Sequence, residues 1–182
     1  MNLRIGIILM GLLLCCGCNK PTSDPRIAQL EAEIKRLKSG DKSLEAAKKA
    51  IRELKKMNSV IELGVNYSDY RKILLETKPI FDEALSDTSE GKIKTLLSAS
   101  MKAYVNAGNL WNVFAQRSVD MGATVYFSEA EKEQFRDYDL DWKRGEWGDG
   151  VDPKNALHKM WGSANRNVLA VEELVKQEAT KP

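Results

Sequence analysis

The side chains best suited to chemistry are concentrated between residues 126 and 152. This stretch holds six aromatic residues, and its nine acidic and four basic residues give it a net charge of −5. Asp137, Asp139 and Asp141 have the spacing of the first carboxylates of an EF-hand calcium loop. Such a loop needs glycine at its sixth position and glutamate at its twelfth, where this chain has Trp142 and Gly148. The calcium ligand set is incomplete, and we predict no metal and no other cofactor.

The same stretch could instead be a recognition surface. Trp142 and Trp147 are amphipathic aromatic residues, a type often used for recognition at exposed sites, and nearby carboxylates could accept hydrogen bonds from sugar hydroxyls. Alternatively, both tryptophans cover the open end of a helical bundle and the acids only solvate a loop. The candidate binding residues are Trp142, Trp147, Asp137, Asp139 and Asp141.

Residues that would support enzyme catalysis are few. His158 is the single histidine of the chain, and it flanks an apolar helical stripe. The sequence has neither a glycine-rich phosphate loop nor a His-x-x-x-His metal pair. We therefore predict that the protein is not an enzyme and assign no catalytic residue. A hydrolase acting through paired carboxylates remains the alternative.

The three cysteines, Cys15, Cys16 and Cys18, all lie at the end of a short apolar segment. Arg4 precedes this segment, and its apolar core, residues 5–14, is too short to be a stable membrane anchor. A polar run from Asn19 follows it. With no cysteine after position 18, the rest of the chain can form no internal disulfide and no thiolate metal site.

This arrangement resembles the cleavage region of bacterial lipoproteins, in which a small residue, here Gly17, precedes the modified cysteine. The resemblance implies that residues 1–17 are a signal peptide and that Cys18 is acylated and holds the chain on a bacterial membrane. Cys15 stands where that family has leucine, so Cys15 or Cys16 are alternative acceptors. Because Asn19 is not aspartate, the resemblance implies the outer membrane, facing the periplasm, in a Gram-negative host. An ordinary secretory signal is the other interpretation.

Residues 18–25 predict a tether, and residues 26–63 predict a coiled-coil-like helical arm with a charge of +4. Two apolar blocks of heptad spacing are separated by Ser39-Gly40 and lie out of phase, which predicts two helices or one helix with a defect. Such a narrow stripe suits pairing with another copy of the chain, or folding back on the domain. The two blocks are Ile27, Leu30, Ile34 and Leu37, then Leu44, Ala47, Ile51, Leu54 and Ile61.

The charge of the arm suggests partners in the cell envelope. Its ten basic residues could lie on anionic lipid headgroups or on the acidic stem peptides of peptidoglycan. The arrangement of a lipidated cysteine followed by a coiled-coil arm resembles the murein-type coiled-coil lipoproteins, which trimerise and reach the cell wall. A terminal lysine carries the wall link in that family, whereas this chain ends in Thr180-Lys181-Pro182, so no covalent link is expected. The formal charge of the whole chain, +2, gives no reason to expect nucleic acid as a partner.

Residues 64–182 predict an antiparallel helical bundle with a long acidic and aromatic loop, so the fold class is all-α. Asn66 and Asp152-Pro153 are helix-start signals, and Pro79 should kink or split its helix. Ser128 and Glu131 fit a capping box that opens a short helix over residues 128–138. Residues 60–115 loosely resemble uncharacterised helical proteins of bacteria. This resemblance carries no function over to the chain.

Together these features predict a membrane-anchored lipoprotein that is a binding or structural component of the bacterial cell envelope. The partners would be membrane lipid through Cys18, an envelope protein or peptidoglycan, and a second copy through residues 26–63. The alternative is a carrier of a small ligand, such as a lipid or a muropeptide. Its pocket would lie between bundle helices, lined by Tyr67, Tyr104, Trp111 and Trp161.

Overall fold

The computed structural model describes residues 25–117 and 123–180, so the predicted signal peptide, residues 1–17, and Cys18 lie outside the described residues. Helices dominate this part of the chain, which confirms the all-α prediction. None of the helices described combines the length and apolar character needed to cross a membrane. The elements are α1 Pro25–Leu63, α2 Tyr67–Asp87, α3 Lys92–Gln116, β1 Val125–Phe127, α4 Glu129–Glu133, a 3₁₀ helix Arg136–Tyr138, β2 Lys143–Gly145, β3 Gly148–Val151 and α5 Pro153–Ala179.

The chain divides into two units, and the division falls after residue 36. Within the first, the described residues 25–36 form the start of α1, and residues 26–35 are all exposed. The predicted arm runs to residue 63. The part of α1 after residue 36 belongs to the second unit and buries apolar residues in its core, namely Ala47, Ala50, Ile51, Leu54 and Met57.

The Ser39-Gly40 pair does not divide α1, which is a single helix. An added Cβ at Gly40 would meet no atom within 4 Å, so this glycine is not required by packing. One glycine inside a helix costs roughly 0.5–1 kcal/mol relative to alanine, and the buried residues that follow can outweigh that cost. The defect in the heptad pattern is therefore a change of phase rather than a turn.

The second unit is a bundle of α2, α3, α5 and the part of α1 after residue 36. The backbone N–H of Ser89 donates to the Ser43 hydroxyl at 2.7 Å, and the Lys49 ammonium lies 3.1 Å from Glu83. Ser89, just after α2, meets Ser43, whereas Glu83, earlier in the chain, meets Lys49 farther along α1, so the two helices are antiparallel. Helix α3 buries the following side chains in this bundle: Leu97, Ser100, Met101, Ala103, Tyr104, Ala107, Leu110 and Phe114.

The stripe predicted on α5 is confirmed in position. Leu157, Ala164, Val168, Val171 and Val175 are buried, and Trp161 is half-buried. Both predicted start signals are confirmed as well. The Asn66 side chain accepts from the backbone N–H of Asp69, and the Asp152 side chain accepts from that of Asn155.

Of the two outcomes predicted for Pro79, a kink or a split, the split does not occur, because α2 continues through this residue. Proline removes the N–H that would bond to the carbonyl four residues earlier, here that of Leu75. Pro79 and Leu75 are both exposed, so water can bond to the carbonyl that the helix leaves without a partner. The cost of the proline is therefore smaller than it would be on the buried face of the helix.

A chain of hydrogen bonds joins the four bundle helices. The Tyr70 hydroxyl of α2 donates to the Tyr104 carbonyl of α3 at 2.7 Å, and the Trp161 indole of α5 donates to the Tyr70 hydroxyl at 3.3 Å. The Tyr104 hydroxyl donates to the Asn58 side chain of α1, which in turn donates to Asn165 of α5 at 2.8 Å. Burial raises the pKa of Tyr70 and of Tyr104, so both hydroxyls keep their protons at neutral pH.

Replacing Tyr70 with phenylalanine should lower the free energy of unfolding by about 1–2 kcal/mol, because the Trp161 indole N–H loses its acceptor inside the bundle. Urea denaturation followed by circular dichroism would measure the change. Tyr67→Phe is the matched control, since Tyr67 also donates to a side chain, Asn112, but is only half-buried. An equal cost for the two variants would contradict the role given to the buried network.

Candidate functional site

Residues 125–151, expected to be mainly loop, contain a three-stranded antiparallel sheet with the strand order β1-β3-β2. Tyr126 pairs with Gly150, and Gly150 also pairs with Lys143 on the other side. The capping box is confirmed by bonds in both directions between Ser128 and Glu131. The predicted helix is shorter than expected, since α4 ends at Glu133 and only a 3₁₀ turn follows.

One face of the sheet packs on the bundle and holds it in place. Val125, Phe127 and Val151 are buried, and the Phe127 ring meets Phe114 of α3 edge-on at 6.1 Å between centroids. Arg117, just after α3, donates to the Tyr126 carbonyl at 2.6 Å, and its guanidinium lies 5.1 Å from the centre of the Phe127 ring. The strands are therefore fixed to α3 by apolar contact and by one cation.

The other face of the sheet is formed by Tyr126, Lys143 and glycines. A Cβ on Gly145 would lie 2.5 Å from Cε1 of the Tyr126 ring, and one on Gly150 would lie 3.0 Å from its Cδ1. The Tyr126 ring therefore lies directly on the backbone of the two neighbouring strands. Gly145 and Gly150 made this segment resemble a loop. They are required because the Tyr126 ring that covers them leaves no room for a side chain.

Trp147 lies at the tip of the β2–β3 hairpin, and 78% of its surface is exposed. Gly145 pairs with Gly148, so Glu146 and Trp147 are the two turn residues. Gly148 has a φ of +115°, a value that side-chain-bearing residues rarely adopt, and it closes the turn. The fold thus holds the backbone on both sides of Trp147 while leaving its indole in solvent.

Trp142 has a different environment from Trp147. It is half-buried against the core, its ring meets Phe127 edge-on at 5.6 Å, and the Lys132 ammonium lies 5.5 Å from its ring centre. Lys132 also pairs with Asp149 of β3, and this hydrogen bond is the main reason why its pKa is raised. Within the described part of the chain, no ring contact joins Trp142 to Trp147. Trp142 is therefore part of the packing of the sheet.

Two of the three candidate acids, Asp137 and Asp141, have structural partners for their carboxylates, and Asp139 is held through its backbone carbonyl. Asp137 pairs with Lys102 of α3 at 3.3 Å. Lys159 of α5 donates to the Asp139 carbonyl at 2.7 Å and to the Asp141 carboxylate at 2.6 Å. The bonds from Lys159 and then from Asn155 hold the pKa of Asp141 below its usual range. Among the residues that the structure describes, no group of three metal-binding side chains is placed to hold an ion.

We name the exposed side chains Tyr126, Lys143, Glu146 and Trp147 the hairpin surface. Of the five residues selected from the sequence, only Trp147 belongs to it, and Tyr126 was missed. The signal for Tyr126 was the alternation Val125-Tyr126-Phe127, which turns the middle residue away from the core. The surface offers aromatic faces with one charge of each sign, an arrangement suited to binding a polar partner by stacking and hydrogen bonding.

The residues predicted to line a ligand pocket pack against one another. The centroid of the Trp111 ring lies 5.9 Å from that of Tyr67 and 5.6 Å from that of Trp161. The centroid of the Tyr70 ring lies within 5.8 Å of the ring centroids of both tryptophans. Tyr104 belongs to the hydrogen-bonded network described above. His158 is exposed, and its ring meets Trp161 at 5.8 Å.

A groove of about 950 Å³ lies elsewhere, against α1 and α2. Charged side chains make up most of its lining, whereas sites for small ligands are lined mainly by apolar and aromatic groups. Two of these charged residues, Lys49 and Glu83, pair with each other across the groove. The groove therefore gives little support to a lipid-binding pocket. The charged lining residues are Asp41, Lys42, Glu45, Lys49, Arg52, Glu83 and Asp87.

Replacing Gly145 with alanine should lower the free energy of unfolding by about 1 kcal/mol or more, because the new methyl group overlaps the Tyr126 ring. In a Tyr126→Ala background the same replacement should cost almost nothing. A double-mutant cycle measured by urea denaturation gives the coupling between the two positions. Equal costs in both backgrounds would show that the ring does not lie on Gly145.

No protein-family model, no curated protein and no solved structure matches the chain. A function must therefore be argued from the residues of the chain itself. The most distinctive of them is Trp147, a large aromatic side chain that the fold leaves in solvent.

Proposed function

We propose that this protein is a lipid-anchored component of the bacterial cell envelope that binds another envelope component through its hairpin surface. Acylated Cys18 would hold the chain on the membrane, which is the outer membrane facing the periplasm in a Gram-negative host. The partner would be an envelope protein or peptidoglycan. The single observation that carries the binding role is the exposure of Trp147 on a hairpin whose backbone is fixed.

The anchor is supported by sequence features. A charged residue, a ten-residue apolar core, Gly17 and Cys18 follow one another in the order that resembles a lipoprotein signal. Two or three acyl chains on one cysteine give stable membrane attachment, whereas a single chain binds reversibly. A chain held in this way would keep its bundle close to the membrane surface and to other envelope components.

The binding role is supported by the cost of leaving an indole in water. An exposed tryptophan contributes nothing to folding, and burying one against a partner removes about 150–250 Å² of surface from water. Tryptophan is also among the residues that contribute most to the free energy of protein interfaces. The turn on which Trp147 lies is closed by Gly148 and rests on the Tyr126 ring, so little backbone order would be lost on binding.

Replacing Cys18 with serine should prevent incorporation of a fatty-acid analogue and release the chain from the membrane fraction. Metabolic labelling of cells that express the full chain, followed by fractionation, measures both effects. Cys15→Ser and Cys16→Ser are the matched controls and should leave the label in place. A chain that carries no label in any of these forms, or whose label depends on Cys15 or Cys16, would contradict the assignment.

Replacing Trp147 with alanine should reduce binding to the partner at least tenfold, since interface tryptophans commonly contribute more than about 1.4 kcal/mol. Cosedimentation with isolated peptidoglycan and in-cell crosslinking from a photoreactive residue at position 146, which leaves Trp147 in place, test the two partner classes. The free energy of unfolding should stay unchanged, because the Trp147 side chain is mostly in solvent.

Two control variants separate binding from folding. Leu169→Ala removes another exposed apolar side chain, on α5, and should change neither property. Trp142→Ala should lower the free energy of unfolding, because Trp142 packs on Phe127. If peptidoglycan is not bound and position 146 forms no discrete crosslink, the hairpin surface is not a binding site.

A further inference from the structure

An apolar stripe at the start of α1 is left in solvent. Ile27, Leu30, Ile34 and Leu37 are each between 50 and 59% exposed, whereas Leu54, farther along the same helix, is fully buried. Single exposed apolar residues are ordinary on protein surfaces, but four at heptad spacing form a continuous patch of the kind that marks an interaction site. This stripe is not used by the bundle, and it lies apart from the hairpin surface in the sequence.

The residue types on the stripe indicate what covers it. The spacing of 3, 4 and 3 makes Ile27 and Ile34 the a positions of a heptad and Leu30 and Leu37 the d positions. Isoleucine at a with leucine at d favours two parallel strands, because the branched side chains pack well in that geometry. The pattern is that of a helix that meets a second copy of itself.

The charges beside the stripe match this arrangement. Arg26 and Glu33 occupy g positions, and Glu31 and Lys38 occupy e positions. In a parallel pair in register, each g residue faces the e residue five positions later on the other helix. Arg26 then faces the partner's Glu31, and Glu33 faces the partner's Lys38, so both kinds of pair join opposite charges.

The antiparallel arrangement is disfavoured by the same charges. Matching the apolar positions in opposite directions would bring Glu31 close to the partner's Glu31 and Glu33 close to the partner's Glu33. Like charges in these positions repel. The second heptad block cannot extend the contact, because Ala47, Ile51 and Leu54 are buried in the core of their own chain.

We propose that a second copy of this chain covers the stripe, forming a parallel, in-register coiled coil through residues 26–38. The contact is short, and helices of fewer than about 12–15 residues are marginal in water. The proposal rests on the membrane anchor of the proposed function, because two chains anchored on one membrane have an effective concentration on the order of millimolar. Both chains would then leave the membrane in the same direction, as the parallel arrangement requires.

Disulfide crosslinking in cells tests the contact with the full chain. Cys15 and Cys16 are changed to serine, Cys18 is kept, and Leu37→Cys is added at a d position of the stripe. Mild oxidation should link two copies at least fivefold more efficiently than with Ala32→Cys, which lies on the opposite side of the heptad. The form without an added cysteine measures any linkage through Cys18 itself. Equal yields at positions 37 and 32, or a mixed disulfide with another protein, would overturn the proposal.

The same reporter distinguishes the two orientations. In an antiparallel pair the two copies of position 37 would be about ten residues, or roughly 15 Å, apart along the axis, too far for a disulfide. Linkage that appears only when Ile27→Cys and Leu37→Cys chains are expressed together would therefore overturn the parallel arrangement. Linkage by Leu37→Cys alone supports it.

A charge exchange tests the flanking pairs. Glu33→Lys should reduce the linkage at position 37 by about two- to fivefold, because it faces the partner's Lys38 with a like charge. Adding Lys38→Glu should restore the yield. A double variant that stays as low as the single one would contradict the pairing of these two positions.

Fatty-acid labelling of the same cells separates this proposal from the lipid anchor. Label without linkage overturns the coiled coil and leaves the anchor in place, whereas linkage without label supports the coiled coil and removes the anchor. If neither is found, the purified full chain is oxidised at about millimolar concentration, which replaces the effect of the membrane. Failure to link there as well overturns the coiled coil.

Discussion

The bundle depends on one hydrogen-bonded network, formed by side chains and the Tyr104 carbonyl, because it connects all four long helices. Asn58 belongs to α1, Tyr70 to α2, Tyr104 to α3, and Trp161 and Asn165 to α5. Apolar packing tolerates small rotations of a helix, whereas a buried donor must find its acceptor within a few tenths of an ångström. The network therefore fixes the rotation of each helix, and with it the surface to which the sheet is attached.

From that fixed frame the chain supports two separate surfaces. Arg117 and Phe127 attach the sheet to α3, Lys159 ties the segment before β2 to α5, and the hairpin that carries Trp147 extends from this support. The start of α1 carries the other surface and contributes nothing to the core of the bundle. Trp147 and the apolar residues from Ile27 to Leu37 are exposed, so neither belongs to the buried core of the described chain.

The sequence was sufficient for features that repeat or that act locally. The stripe of α5 and the caps at Asn66 and Asp152 involve residues within a few positions of one another, so their pattern is visible along the chain. The sheet was missed because strands of three or four residues show at most one alternation, which is too little to identify a strand. Gly145 resembled a loop residue because its reason, the Tyr126 ring, lies on another strand.

The site could be predicted only in part for the same reason. Trp142 and Trp147 have similar sequence surroundings, and nothing within a few residues reveals that Phe127 and Lys132 enclose the first while the second stays in solvent. The acids were selected by their spacing, but their cations come from distant helices, as with Lys102. Burial and pairing depend on tertiary contacts, which a single sequence does not show.

The hairpin has a consequence for how this protein would change over generations. Substitutions at Gly145 and Gly148 are opposed by sterics and by backbone geometry, so selection for a stable fold alone would retain them. Folding makes no such demand at the position between Glu146 and Gly148, where random drift would soon replace a costly indole with a smaller polar group. A tryptophan that persists there in descendants would indicate selection for a function of the side chain, since the fold does not require it.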